Sequence, residues 1–333
     1  MATASVLGAG SWGTALALQL ARAGHAVTLW TRAPEHAQEM AEARENRRYL
    51  PGFKLAPPIV PTADLERALR SGHDVVVLAV PSHAVRETTV SANAFLRPET
   101  VLVSAAKGIE EGTSLRMSEV ISASAPGARV SALSGPSFAK EVAAEMPTVV
   151  TAAAVDVATA AHVQHAFASP MFRVYTSEDL IGVEIGGTVK NVIAIAAGVG
   201  DGLGLGHNAR AAIITRGLAE VNRLATRLGA DPQTVTGLAG MGDLVLTCTG
   251  ELSRNRSLGL RLGRGERLQD VLAGMTQVAE GVRNTVAVDD LARSLGIEMP
   301  ITAQMRCLLF EDKSPHEAMV DLMTRQLKHE FRE

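Results

Sequence analysis

The first thirteen residues constrain this chain more than any other stretch. Ser5-Val6-Leu7 is a short strand-like run, and Gly8-Ala9-Gly10-Ser11-Trp12-Gly13 follows at once as a G-x-G-x-x-G turn. Trp12 to Ala23 then has helical spacing and stops at Gly24. Each glycine has a separate reason: Gly8 permits the tight turn, Gly10 lets backbone approach a pyrophosphate, and Gly13 lets helix and strand pack closely. The free N–H groups at the helix start then face the phosphates. Such a turn alone suits a loop that binds nothing; its place between a strand and a helix points to a dinucleotide.

The rest of the first half repeats the strand–helix pattern. Val27–Trp30, Asp74–Val80, Thr100–Ser104, Arg129–Leu133, Thr148–Thr151 and Phe172–Tyr175 read as strands. Between them Asp64–Ser71, Val85–Phe95, Thr113–Ala123 and Ala154–Ala168 read as helices. The Asp74–Val80 run is nearly all apolar, as a strand buried on both faces must be. Alternation at this spacing predicts an α/β fold with a mostly parallel, doubly wound sheet of the Rossmann type. Beyond Asp179 strand-like runs almost vanish, and helical runs continue from Val183 to Lys328, which predicts a second, all-α domain. The expected division is residues 1–182 for a dinucleotide and 183–333 for a substrate.

Composition narrows the class. Of 333 residues 47% are hydrophobic, 20% charged and only 3% aromatic, so a large core must be built from small aliphatic side chains. A formal net charge of −3 supplies no field to attract nucleic acid. Cys248 and Cys307 are far apart and form no CxxC, so neither a zinc site nor a disulfide scaffold is expected. A reduced, cytoplasmic compartment fits, with no leader sequence, no membrane span and no bound metal expected. His162 and His165 lack nearby acids and read as surface residues, and His207 as structural.

Several lone polar residues stand in glycine-rich, apolar surroundings. Lys107 lies just past the end of the Thr100–Ser104 strand, where open α/β sheets bind ligands. Lys190 falls in the middle of an apolar helix and needs either a partner or a depressed pKa, which is how a lysine becomes an acid or base near neutral pH. Asp243 can be the counter-charge of Lys190 or of Lys107. Ser253-Arg254-Asn255-Arg256 suits a phosphate, or else is an ordinary helix cap with surface arginines. In Ser134-Gly135-Pro136-Ser137, Gly135 allows close backbone approach and Ser137 bonds a ligand or caps the next helix. No acid ends the second strand. Arg32 stands there instead, able to pair with a 2′-phosphate or stack on adenine, which favours NADP or dual use. Tyr49, beside Arg47 and Arg48, is a further cofactor candidate.

Taken together these stretches resemble the bacterial NAD(P)-dependent glycerol-3-phosphate dehydrogenase family. The matching segments are Gly8 to Ala15, Ala106-Lys107-Gly108, Leu133 to Ala139, Lys190-Asn191, Gly240-Met241-Gly242-Asp243-Leu244, Ser253-Arg254-Asn255 and Glu280-Gly281. They run in order over nearly the whole chain. The resemblance implies that Lys190 is the proton acceptor, and that Lys107, Gly135, Ser137, Asp243, Ser253, Arg254 and Asn255 hold glycerol 3-phosphate. It implies that Ser11, Trp12, Arg32, Lys107, Ala139, Arg254, Val278 and Glu280 touch NADP or NAD. It further implies a helical domain like that of 6-phosphogluconate dehydrogenases, a homodimer, and a supply of glycerol 3-phosphate for phospholipids. Two rivals remain at this point: a reductase of another hydroxy or keto acid, and a nucleotide-sensing protein without catalysis.

Overall fold

A computed structural model of the chain describes residues 2–70, 74–275, 279–327 and 329–330. Val278, and the expected helix ends at Ser71 and Lys328, lie outside the described residues. The chain forms two compact units, Met1–Thr188 with Ala225–Asp243, and Val189–Leu224 with Leu244–Glu333.

The first unit is built on an eight-stranded sheet: β1 (Thr3–Leu7), β2 (Ala26–Trp30), β3 (Ile59–Thr62), β4 (Val75–Leu78), β5 (Val101–Ser104), β6 (Arg129–Ser134), β7 (Thr148–Ala154) and β8 (Phe172–Ser177). Their order is β3-β2-β1-β4-β5-β6-β7-β8, and all pairs are parallel except β6 with β7. Helices α1 (Ser11–Arg22), α2 (Pro34–Ala43), α3 (Leu65–Leu69), α4 (Val85–Asn93), α5 (Met117–Ser124), α6 (Ala139–Ala143) and α7 (Val157–Phe167) connect them. Alternate residues of the central strands feed two separate cores. Val6, Val75, Val77, Val101 and Val103 pack with Leu16 and Leu20 of α1, while Leu7, Val76, Leu78 and Leu102 pack with Val120 and Ile121 of α5. Burial on both faces is why these strands read as unbroken apolar runs, and the predicted doubly wound sheet is the one observed.

Three local features depart from the sequence expectation. β3 carries Pro61, which weakens any strand signal, yet it sits at the sheet edge and pairs only with β2, where a missing N–H costs little. α2 begins with Pro34 at its first turn, where proline is pre-set for a helix. α5 starts at Met117 and not near Thr113, because Ser114 adopts a left-handed φ of 60° and Glu119 reaches back to accept the Arg116 N–H at 2.9 Å.

Two long helices, α8 (Leu180–Gly202) and α9 (Gly206–Arg227), carry residues of both units. α10 (Pro232–Thr236) and a five-residue π turn, Leu238–Gly242, complete the first unit. The second unit adds α11 (Asp243–Thr249), α12 (Arg254–Gly263), α13 (Leu268–Ala273), α14 (Glu280–Ser294), α15 (Pro300–Phe310) and α16 (Pro315–Met323), with no strand among the described residues. By length and composition α8 is apolar enough to cross a membrane, but its most apolar stretch is 94% buried inside the protein.

Glycines let α8 and α12 pack backbone to backbone. A Cβ on Gly259 would stand 2.1 Å from the Ile195 carbonyl oxygen, and one on Gly198 2.1 Å from that of Arg256. Backbone cannot yield as a side chain can, so Gly259→Ala is expected to lose about 3 kcal/mol or more in chemical denaturation. Gly200→Ala, whose Cβ would meet side-chain methyls alone, those of Ile213 at 3.1 Å and Leu205 at 3.9 Å, is expected to keep near wild-type stability.

Glu220 of α9 holds the start of α15. Its buried carboxylate accepts from the N–H groups of Ile301 (2.5 Å) and Thr302 (3.1 Å) and from the Thr302 hydroxyl (2.9 Å). Burial pushes this carboxyl up to about 7 from 4.5, against the pull of those donors. The folded protein therefore binds the proton more tightly than the unfolded chain. The resulting stabilisation is complete below pH 4.5 and is lost as pH rises to about 7. Wild type compared with Glu220→Gln should lose on the order of 3 kcal/mol across that window, read by denaturation at several pH values.

Candidate active site

The glycine turn closes the C-terminal end of β1, where the strand order reverses between β1 and β4. In such sheets that switch point is where ligands bind. Gly8 has a left-handed φ of 117°, and a Cβ there would lie 2.7 Å from the Ala79 carbonyl, just past β4. A Cβ on Gly13 would lie 1.8 Å from the Gly8 oxygen. Gly10 meets nothing within 4 Å, so its face of the turn is open. It caps α1 without any side-chain hydrogen bond, and no acidic residue stands in the first turn of that helix. An open, uncapped helix start behind a hydrogen-only residue fits a diphosphate. Arg32 is exposed beyond the end of β2, and Tyr49 lies edge-on to His36 at 5.3 Å with the Arg48 guanidinium 5.2 Å from its ring.

Lys107 follows β5 by three residues. Its Nζ pairs with Oδ2 of Asp243 at 2.7 Å, and the Asp243 side chain is almost wholly buried. Lys107 is thus one of the partners that the sequence offers to Asp243. Asp243 is held there by glycines, because the π turn before it presses against α8 of the same unit. A Cβ on Gly186 would stand 2.7 Å from the Ala239 oxygen, and one on Gly240 2.0 Å from that of Val235. Gly187 likewise leaves room for the Ser134 hydroxyl (2.6 Å) and the Lys107 stem (3.7 Å). Gly135, with a φ of 139°, turns the chain at the end of β6. Ser137 donates to the Gly135 carbonyl at 2.9 Å and does not cap α6, which starts at Ala139.

The second unit holds a second cluster. Lys190 is 6% exposed and donates to the Thr247 hydroxyl at 2.9 Å. Thr247 carried no signal of its own in the sequence, although it lies four residues after Asp243 and so on the same face of α11. Asn255 binds three segments together: its amide donates to Asn191 Oδ1 (2.9 Å), and its oxygen accepts the Gly281 N–H (3.1 Å) at the start of α14. A Cβ on Gly281 would meet that oxygen at 2.7 Å, which explains a glycine at this position. Ser253 caps α12, accepting from the Arg256 N–H at 3.2 Å. Arg256 is engaged with Asp201 at 2.8 Å, whereas the neighbouring Arg254 is exposed. Among the described residues no group of three His, Cys, Asp or Glu side chains is arranged for a metal ion.

A glycine turn at the switch point of a doubly wound sheet, followed by a helical unit with a buried lysine, defines a Rossmann-type dehydrogenase. Comparison with known proteins sharpens this. The family model described as NAD-dependent glycerol-3-phosphate dehydrogenase N-terminus matches residues 3–160, and its C-terminal counterpart matches residues 179–320. The chain belongs to the NAD-dependent glycerol-3-phosphate dehydrogenase family. It is 54% identical to a glycerol-3-phosphate dehydrogenase [NAD(P)+] of Citrifermentans bemidjiense over 98% of both chains. It is 55% identical to one of Geobacter sulfurreducens, again over 98% of each. The crystal structure of the Coxiella burnetii glycerol-3-phosphate dehydrogenase superposes with a TM-score of 0.94 at 42% identity, covering 97% of this chain and 99% of that one. A ketopantoate reductase from Ralstonia eutropha, 18% identical with a TM-score of 0.63, shares the fold alone.

Proposed function

We propose that the chain interconverts sn-glycerol 3-phosphate and dihydroxyacetone phosphate with NAD or NADP. Residues 1–182 carry the dinucleotide and 183–333 the substrate. The observation that carries the reading is Lys190 itself, an amine buried in the apolar helix α8 with its Nζ donating to the Thr247 hydroxyl at 2.9 Å. A positioned side-chain amine can serve as the acid or base of such a reaction. When bound, NAD(P) supplies the hydride acceptor or donor.

In the oxidative direction Lys190 Nζ takes the proton of the C2 hydroxyl; in reduction it returns that proton to the C2 oxygen. Lys107, oriented by Asp243, adds positive charge where the oxyanion grows. Arg254 binds the phosphate as a fork, with Ser253 and Asn255 beside it, and Gly135 and Ser137 line the carbon chain. Gly8, Gly10, Ser11, Trp12 and Gly13 hold the diphosphate. Arg32 and Tyr49 take the adenosine end, and Ala139, Val278 and Glu280 complete the cofactor site with Lys107 and Arg254. The working form is a cytoplasmic homodimer that feeds phospholipid synthesis.

The test is a spectrophotometric assay of the purified chain with dihydroxyacetone phosphate and each reduced cofactor in turn. Oxidation of NADH or NADPH that depends on dihydroxyacetone phosphate is the expected result. Faster turnover on a 2-keto acid would move the substrate assignment to the keto-acid reductases.

A further inference from the structure

Three segments assigned above to the cofactor are joined inside the first unit by a chain of buried side chains that plays no part in the chemistry. Asn46 is fully buried in the irregular segment after α2, and His36 is 5% exposed within α2. The Asn46 amide nitrogen donates to the carbonyl of Ala9, in the glycine turn, at 2.9 Å, and to the Thr14 hydroxyl of α1 at 2.7 Å. Its oxygen accepts the Tyr49 N–H at 3.2 Å and meets His36 Nε2 at 3.0 Å. His36 Nδ1 lies 3.3 Å from the hydroxyl of Thr31, the residue before Arg32.

The directions of these bonds follow from the groups themselves. A carbonyl only accepts, so the nitrogen of Asn46 must face Ala9 and its oxygen must face His36. The imidazole then carries its proton on Nε2, and in the neutral ring Nδ1 accepts from Thr31. One amide thus fixes the tautomer of the histidine and, through it, the end of β2.

We propose that His36 and Asn46 are specificity-positioning residues, holding Arg32 at a set distance from the glycine turn to suit a dinucleotide with a 2′-phosphate. The inference rests on the dehydrogenase reading. Both dinucleotides place a diphosphate on the glycine turn, which Asn46 braces directly. Only the 2′-phosphate form calls on the charge of Arg32, which is braced through His36 and Thr31. Without that brace, the end of β2 must be ordered at the moment of binding, and the cost falls on one cofactor.

The experiment is calorimetric titration of the substrate-free protein with NADPH and with NADH. His36→Phe, which keeps a ring against Tyr49, is expected to raise Kd for NADPH about tenfold and for NADH less than about threefold, the size of one lost hydrogen bond. Thr31→Val should shift the ratio the same way by about threefold. Asn46→Asp should weaken both cofactors together. An NADPH-to-NADH ratio unchanged in folded His36→Phe and Thr31→Val overturns the inference and leaves the dehydrogenase reading standing. If His36→Phe does not fold, Thr31→Val decides alone. Wild-type protein that binds neither dinucleotide sinks both.

Discussion

Lys190→Ala is expected to lower kcat for dihydroxyacetone phosphate reduction by roughly 10³-fold, within the range that positioned acid–base groups supply. Lys190 is buried, and its replacement leaves the Thr247 hydroxyl without that donor. The fold should therefore survive, and the dissociation constant of the reduced cofactor, set by the glycine turn, should stay within about threefold of wild type. A loss in kcat with unchanged cofactor affinity assigns the defect to the proton transfer. A parallel loss in both would mean that the lysine mainly holds structure.

The second large effect concerns Asp243. Asp243→Ala leaves Lys107 without its 2.7 Å carboxylate partner in a mostly buried position. Breaking one member of a buried pair typically costs about 3–5 kcal/mol, more than the intact pair contributes against an apolar replacement. The ammonium of Lys107 then turns to whatever solvent or anion it can reach. We expect kcat/KM to fall by at least about 10²-fold and the thermal midpoint to drop, with Asp243→Asn milder in stability because the amide still accepts one hydrogen bond. The double variant Lys107→Met/Asp243→Ala should regain stability relative to Asp243→Ala but not activity, since the stray charge is gone and the positive group is too. Thermal melts and steady-state rates on the four proteins of that cycle separate the two contributions.

The parts of the fold read most easily from the sequence were those with a strong local cause. The Gly8–Gly13 turn has one physical reason per glycine, and strands buried on both faces are apolar throughout. β3 was hidden by its proline, and α5 was placed early because the left-handed turn at Ser114 has no residue signature. In the candidate site, lone charges among apolar neighbours were visible, so Lys107, Lys190 and Asp243 stood out. Their pairing was not, because one acid and two lysines at long sequence separation allow either partner. Thr247 and Asn191 are ordinary polar residues on apolar helices, and only the fold shows Thr247 at Lys190 and Asn191 at Asn255. Arg256 looked like a phosphate ligand beside Arg254 until Asp201 claimed it. In the His36–Asn46 chain, His36 lies in helix α2 and Asn46 in the irregular segment after it, and only the fold brings them together.

Chemical rescue tests the role of Lys190 most directly. Short alkylamines of graded basicity are added to Lys190→Ala with dihydroxyacetone phosphate and reduced cofactor, and the initial rate is followed. A side chain that carries the C2 oxygen's proton predicts saturable recovery of turnover by free amine, with a rate that tracks amine pKa. Turnover near wild type in Lys190→Ala without any amine, with cofactor binding intact, would contradict it.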